Sequence, residues 1–247
     1  MFGFGAKLPV DDATKAWIDQ GFQKLEMLFG KDRMLRAEVI LPIDKYFPDK
    51  FEKNEAGLQA LFGRVCEYMG VNRSQVELAV IPDHVSELKE HMPIWSSRSL
   101  DPAGLYTGAE GDELPLVSVR ETTAENPMVA VAVMAHELAH VILLGEKLVD
   151  RKSKDMERFT DLTTVYLGLG AFNANAAFRY ERHERLRTEG WSVSKTGYLS
   201  EEEFGYALAK FAFERGERKP GWAKHLASNI RTHFDDAARW LNKNGAK

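Results

Sequence analysis

Apolar residues recur at helical spacing through much of the first third of the chain. They do so over Asp11–Phe29 and again over about Asn54–Met69, and each run ends at a glycine, so we predict two amphipathic helices. Two shorter runs that are rich in β-branched and other apolar residues, Arg36–Leu41 and Val76–Ile81, each end at a proline and predict strands. The first third is therefore predicted to mix helix and strand.

The middle of the chain changes character twice. Ser86–Gly111 is interrupted by prolines and glycines, which predicts a long loop, and Leu114–Val119 is a short β-rich run. Asn126–Gly170 then predicts two helices with a break at about Gly145–Ser153. Its first helix has Asn126 as N-cap and a proline at the first helical position.

The last third is predicted to be helical. Ser200 and Glu203 form a capping-box pattern that opens a helix to about Glu214, and a final helix is predicted over about Trp222–Leu241. The fold class is therefore α+β, with a small mixed sheet packed on a long helix and a helical C-terminal part. We expect a mixed α/β part over residues 1–95, a core over 96–175 and a helical part over 176–247, which can together form one compact domain.

The long helix after Asn126 contains the sequence His136-Glu137-Leu138-Ala139-His140. Residues four apart lie on one face of a helix, so both imidazoles point at the same spot, as a tetrahedral metal requires. Glu137 lies about 100° around the helix from His136. It can therefore flank a metal without binding it and take a proton from a bound water molecule.

A third ligand is needed, and the next helix supplies carboxylates. Glu157 follows His140 on that helix, and Asp161 comes four residues later on the same face. Glu157 can complete the ligand set, while Asp161 can accept the free N–H of a ligating histidine. Gly168 falls within about 20° of the same stripe, and we expect it to let this face approach the first helix closely.

The H-E-x-x-H motif, followed on the next helix by E-x-x-x-D, resembles the gluzincin metallopeptidases, the thermolysin-like group, over residues 126–170. The resemblance implies a zincin-like fold with one Zn²⁺ per chain. It implies His136, His140 and Glu157 as zinc ligands, Glu137 as the catalytic base and Asp161 as the support of a histidine. The link between the two helices contains no Tyr or His that could polarise a scissile carbonyl, so the family's transition-state donor is not assigned by position.

Two further features are candidates for the chemistry. Tyr198 and Tyr206 flank the capping box and are candidate transition-state donors. The strand before the motif helix can be an edge strand that pairs with extended substrate, and Pro115 favours an edge location. The alternative is a core strand. The residues of this candidate substrate strand are Leu116, Val117 and Ser118.

Composition narrows the function classes. The chain has 33 Lys and Arg against 37 Asp and Glu, a net charge of −4, which argues against non-specific nucleic-acid binding. The single cysteine, Cys66, excludes an internal disulfide framework and a Cys-rich zinc module. The N-terminus has no continuous apolar stretch typical of a secretory signal. The most apolar segment, Met128–Leu144, carries the motif's polar residues and favours a buried helix over a membrane span.

These observations predict a soluble, cytoplasmic zinc-dependent hydrolase, most simply a metallopeptidase. Glu137 would activate the zinc-bound water, and the substrate would be a peptide or protein rather than a nucleic acid or a membrane. The alternative is a non-catalytic interaction or regulatory protein in which zinc joins the two helices. A closed fourth coordination position would favour that alternative.

Overall fold

A computed structural model of the protein describes residues 7–81, 104–107, 114–145, 147–177 and 198–245. These residues are mostly helical and include one small sheet, which is compatible with the α+β class. The helices are α1 (Asp12–Phe29), α2 (Lys31–Arg36), α3 (Glu55–Met69), α4 (Pro127–Gly145), α5 (Met156–Tyr166), α6 (Glu201–Glu214) and α7 (Ser228–Asn244). Residues 170–177 are also helical.

The sheet has three strands, β1 (Glu77–Ile81), β2 (Gly104–Thr107) and β3 (Leu116–Arg120), in the order β1-β3-β2. β3 is the central strand. It pairs in parallel with β1, with Glu77 opposite Leu116, and antiparallel with β2, with Gly104 opposite Val119. The sheet is therefore mixed, as predicted.

The chain forms two compact units. One is continuous and contains residues 43–151, and the other is built from residues 1–42 and 152–247. These boundaries differ from the expected divisions at residues 95 and 175. Residues 1–42, which contain α1 and α2, belong to one discontinuous unit with residues 152–247.

The continuous unit contains α3, the sheet and α4. Asn54 caps α3 by accepting a hydrogen bond from the Gly57 N–H at 2.9 Å, and Gly70 ends the helix in the left-handed conformation, with φ of 73°. The amide oxygen of Asn126 lies 3.1 Å from the N–H of Met128, in the first turn of α4. α4 therefore begins at its predicted cap, and α3 begins one residue after its predicted start at Asn54.

α4 packs against α3 and the sheet and forms the centre of this unit. By length and composition alone α4 could cross a membrane, since an 18-residue window has a mean hydropathy of 1.9. However, 67% of that window is buried inside the protein, as in a core helix.

The discontinuous unit contains α1, α2, α5, α6 and α7. α6 packs along α7, and α5 contacts both α1 and α6. The predicted capping box at the start of α6 is confirmed: the Ser200 hydroxyl accepts from the Glu203 N–H, and the Glu203 carboxylate accepts from the Ser200 N–H. α7 begins at Ser228 rather than near Trp222, because Gly221–His225 forms a separate 3-10 turn.

The predicted strand over Arg36–Leu41 is wrong. α2 extends to Arg36, and residues 37–41 form neither helix nor strand in the described part of the chain. Their backbone is instead held by isolated bonds. The Ile40 N–H donates to the Gly168 carbonyl at 3.0 Å, and the Arg215 guanidinium donates to the Ala37 carbonyl at 2.7 Å.

The role expected of Gly168 is also wrong. α5 ends at Tyr166, so Gly168 lies beyond the helix, with φ of +92°. A Cβ atom there would lie 2.3 Å from the carbonyl oxygen of Glu38. The glycine is therefore required by its positive φ and by the close approach of the Glu38 backbone.

Most of the predicted loop over Ser86–Gly111 lies outside the described residues. Within it, however, Gly104–Thr107 is strand β2 rather than loop. This strand is stabilised by pairing with β3, a partner that the local turn signals do not indicate.

Candidate metal centre

Two histidines on α4 form the first part of the site. His136 and His140 are buried, with 6% and 7% of their surface exposed. Their rings are 4.8 Å apart between centroids, with an angle of 78° between the ring planes. The helical spacing therefore brings both imidazoles together on one face, as the sequence predicts.

The third member of the cluster is Glu157, in the first turn of α5. One ligand atom from each of His136, His140 and Glu157 can be chosen so that all three lie within 4.8 Å of one another. The structure thus brings together the three residues that the sequence predicts as ligands. The cluster can bind a metal ion.

The donor set fits a divalent transition metal. Two imidazole nitrogens and one carboxylate oxygen are ligands that zinc accepts, and iron and manganese accept similar sets. Ligand atoms about 2.1 Å from a tetrahedral zinc would be separated by about 3.4 Å. The ligand atoms of the cluster, within 4.8 Å of one another, are spaced somewhat more widely than this.

Glu137 is buried to the same extent as the histidines, with 6% of its surface exposed. It follows His136 directly on α4, so its side chain leaves the helix about 100° away from that of His136. A carboxylate is therefore held in the buried part of α4 without belonging to the three-residue cluster.

Asp161 lies one turn after Glu157 on α5 and is 3% exposed. Its Oδ2 accepts a hydrogen bond from the backbone N–H of Leu199 at 3.0 Å. A carboxylate has about four acceptor sites, so this bond is compatible with support of a ligating histidine. That support stays a prediction.

The sequence reasoning missed Arg158, the neighbour of Glu157. Its guanidinium binds the carboxylate of Glu203 and lies 4.1 Å from the ring centroid of Trp17. The signal in the sequence that could have indicated this pair is the capping box. Its glutamate, Glu203, uses one carboxylate oxygen in the box and keeps a second oxygen that can bind a cation.

The two candidate tyrosines have different surroundings. Tyr198 is half-buried and directly precedes Leu199, whose backbone binds Asp161. Tyr206 is fully buried, and its hydroxyl donates to Oδ1 of Asp19 at 3.0 Å. Burial and the neighbouring charge of Asp19 raise the pKa of Tyr206. Because the Tyr206 proton is engaged with Asp19, Tyr206 is the weaker of the two candidates, and the donor role of either tyrosine stays a prediction.

The predicted substrate strand is not an edge strand. β3, which contains Leu116, Val117 and Ser118, is paired on both sides, by β1 and by β2. An extended peptide needs an unpaired strand edge, so β3 cannot bind substrate in this way. The alternative, a core strand, is confirmed by the burial of Val117 and Ser118.

Comparison of the chain with protein-family models, with curated proteins and with solved structures gives no match. The function is therefore inferred from the residues of the cluster and from their surroundings.

Proposed function

We propose that this protein is a zinc-dependent hydrolase, specifically a metallopeptidase of the gluzincin type with a zincin-like arrangement of its motif helices. The observation that carries the proposal is the convergence of the ligand atoms of His136, His140 and Glu157 to within 4.8 Å. The proposed substrate is a peptide or protein, and the proposed compartment is the cytoplasm.

The ligand set favours an open, reactive metal site. One nitrogen from each histidine and one oxygen of Glu157 would hold one Zn²⁺ per chain, as His₂Glu sites do, and this leaves a fourth position for water or substrate. When bound, zinc would supply Lewis-acid polarisation of the substrate carbonyl and a water pKa lowered toward about 7.

Glu137 is proposed as the general base and acid. It stands beside the ligands on α4 and is not one of them, which is the position that a proton carrier needs. Its carboxylate would take a proton from the attacking water and then deliver that proton to the leaving amine. A purely structural zinc site would not require a buried carboxylate at this position.

Asp161 and Tyr198 are proposed to assist. Asp161 would orient a ligating histidine through its ring N–H. The Leu199 N–H donates to the Asp161 carboxylate, and Tyr198 is the residue directly before Leu199. This proximity of Tyr198 to Asp161 along the chain supports Tyr198 as the transition-state donor. Tyr198→Phe should therefore lower kcat and leave zinc affinity unchanged.

The metal is tested by zinc titration with a competing chelator and by metal analysis of the purified protein. Wild type should bind one zinc per chain, and His136→Ala and Glu157→Ala should bind it at least about 100-fold more weakly. Matched controls are His225→Ala and Glu125→Ala, which change residues outside the cluster. Wild-type affinity in Glu157→Ala would show that the third ligand is elsewhere and that the gluzincin assignment is wrong.

Catalysis is tested with Glu137→Gln. The substitution preserves size and polarity but removes the ability to accept a proton near neutral pH. Zinc content should stay at one per chain, while cleavage of an unbiased peptide library should fall by a factor of about 10² or more. Glu125→Gln, an exposed carboxylate before α4, is the control. A zinc-loaded wild type that cleaves no peptide, or a fully active Glu137→Gln, would favour the non-catalytic alternative.

A further inference from the structure

The carboxylate ligand lies in a part of α5 that needs support from outside the helix. Glu157 is in the first turn, and the N-cap residue, Asp155, makes no side-chain capping bond. The helix has only 11 residues, and helices this short are marginally stable on their own. Contacts that hold the neighbours of Glu157 to other elements therefore contribute to its orientation.

Two such contacts reach the same short segment, residues 199–203. The Leu199 N–H donates to Oδ2 of Asp161 at 3.0 Å, and the Arg158 guanidinium donates to Oε1 of Glu203. Arg158 and Asp161 are three residues apart and lie on successive turns of α5. Residues 199–203 thus bind α5 at the turn that contains Glu157 and at the turn that follows it.

The segment is itself constrained by the capping box. Oε2 of Glu203 accepts the Ser200 N–H at 2.8 Å, while Oε1 accepts from Arg158. One carboxylate therefore joins the cap of α6 to α5. The side chains of Arg158 and Glu203 are only 22% and 15% exposed, so water screens this pair less than an ordinary surface ion pair.

A third element holds Arg158 from another direction. The guanidinium lies 4.1 Å from the ring centroid of Trp17 on α1, and the indole N–H of Trp17 donates to Asp155 at 3.3 Å. Arg158 is therefore fixed by a carboxylate and by an aromatic ring, and Asp155 at the helix start is held by the same tryptophan. These contacts supply the support that the missing side-chain cap does not.

We propose that Arg158 and Glu203 are positioning residues of the metal centre, which hold the first turn of α5 so that Glu157 is oriented for metal binding. The inference rests on the proposed function. It makes zinc affinity depend on an ion pair that does not touch the metal, and it assigns the start of α6 a role in metal binding.

The test uses Glu203→Gln in the full chain. A glutamine keeps an amide oxygen for the capping box but loses the charge that binds Arg158. Zinc affinity, measured by chelator competition, should fall about tenfold, the lower end of the range for residues that support ligands indirectly. Glu201→Gln removes a charge from the same helix turn and should keep wild-type affinity.

A double-mutant cycle separates positioning from general destabilisation. Arg158→Gln should weaken zinc binding as much as Glu203→Gln, and the double variant should be no weaker than either single variant. Additive losses would overturn the inference. Should Glu203→Gln fail to fold, Arg158→Gln and Arg158→Lys make the same comparison with the capping box intact, and retained charge in the lysine variant should restore part of the affinity.

The outcomes distinguish the two proposals. A wild type that binds no zinc would overturn both. A wild type that binds one zinc, together with a Glu203→Gln form of equal affinity, would overturn the positioning role and leave the proposed function standing.

Discussion

Replacement of Asp161 by alanine and by asparagine should have clearly different effects on stability without metal. Asp161 is 3% exposed, and its Oδ2 accepts the N–H of Leu199, itself 3% exposed. Alanine removes the acceptor and leaves a buried N–H without this partner. Asparagine is nearly isosteric and offers an amide oxygen to the same N–H.

The magnitude follows from these contacts. A buried donor that loses its acceptor costs about 1–3 kcal/mol, whereas the change from a charged to a neutral acceptor costs about 1 kcal/mol. The difference centres on about 1 kcal/mol, so Asp161→Ala should be about 1 kcal/mol less stable than Asp161→Asn. With a urea m-value of about 2 kcal/mol/M, the midpoint of urea denaturation would be about 0.5 M lower for the alanine variant.

The assay is urea denaturation with excess chelator, followed by zinc titration of the same variants. Both variants should bind zinc about 10- to 100-fold more weakly than wild type, because both lose the charge. Asp235→Ala, which breaks a half-exposed pair with Arg231, is the control and should cost under about 1 kcal/mol. Equal midpoints for the alanine and asparagine variants would refute the argument from the Leu199 bond, and unchanged zinc affinity and activity would remove Asp161 from the site.

Three further predictions concern the discontinuous unit. Gly168→Ala should lower the thermal midpoint, because the new Cβ would meet the Glu38 carbonyl and the residue keeps a positive φ; an unchanged midpoint would contradict this. Tyr206→Phe should leave zinc affinity and kcat unchanged and cost about 1 kcal/mol through its lost bond to Asp19. The third prediction concerns the pH dependence of stability through Asp19. Burial opposes the ionisation of the Asp19 carboxylate, but the hydrogen bond from Lys15 and other favourable contacts outweigh burial and lower the pKa of Asp19. The stability that this group contributes is present above the unfolded pKa of about 3.9 and is lost as pH falls through the folded value, so denaturation curves of wild type and Asp19→Asn should converge in acid.

The sequence predicts those parts of the site that depend on local rules. Helical spacing places His136 and His140 on one face, and Asn126 marks the start of their helix. The same spacing, together with the need for a third ligand, identifies Glu157, which the structure brings to the histidines. The capping box at Ser200 is equally local and is confirmed.

The parts that were predicted wrongly depend on distant partners. Helical periodicity placed Gly168 on a helix face, yet its conformation is determined by the Glu38 backbone. The pattern of β3 does not reveal that β2 pairs with its second edge. The hydrogen bond from the Tyr206 hydroxyl to Asp19, 187 residues earlier in the chain, is a contact that the sequence analysis likewise did not predict. No periodic pattern within a single segment contains such partners.

The composition of α4 has a consequence for the newly made chain. Its 19 residues include only three polar side chains, and all three belong to the motif: His136, Glu137 and His140. Before folding, such a segment resembles a candidate for membrane insertion, and an ionised residue near its centre opposes insertion by about 2.5–3.5 kcal/mol. Replacement of all three by leucine would therefore remove more than the candidate ligands, because it would also remove the only side chains of this helix that oppose membrane insertion of the unfolded segment.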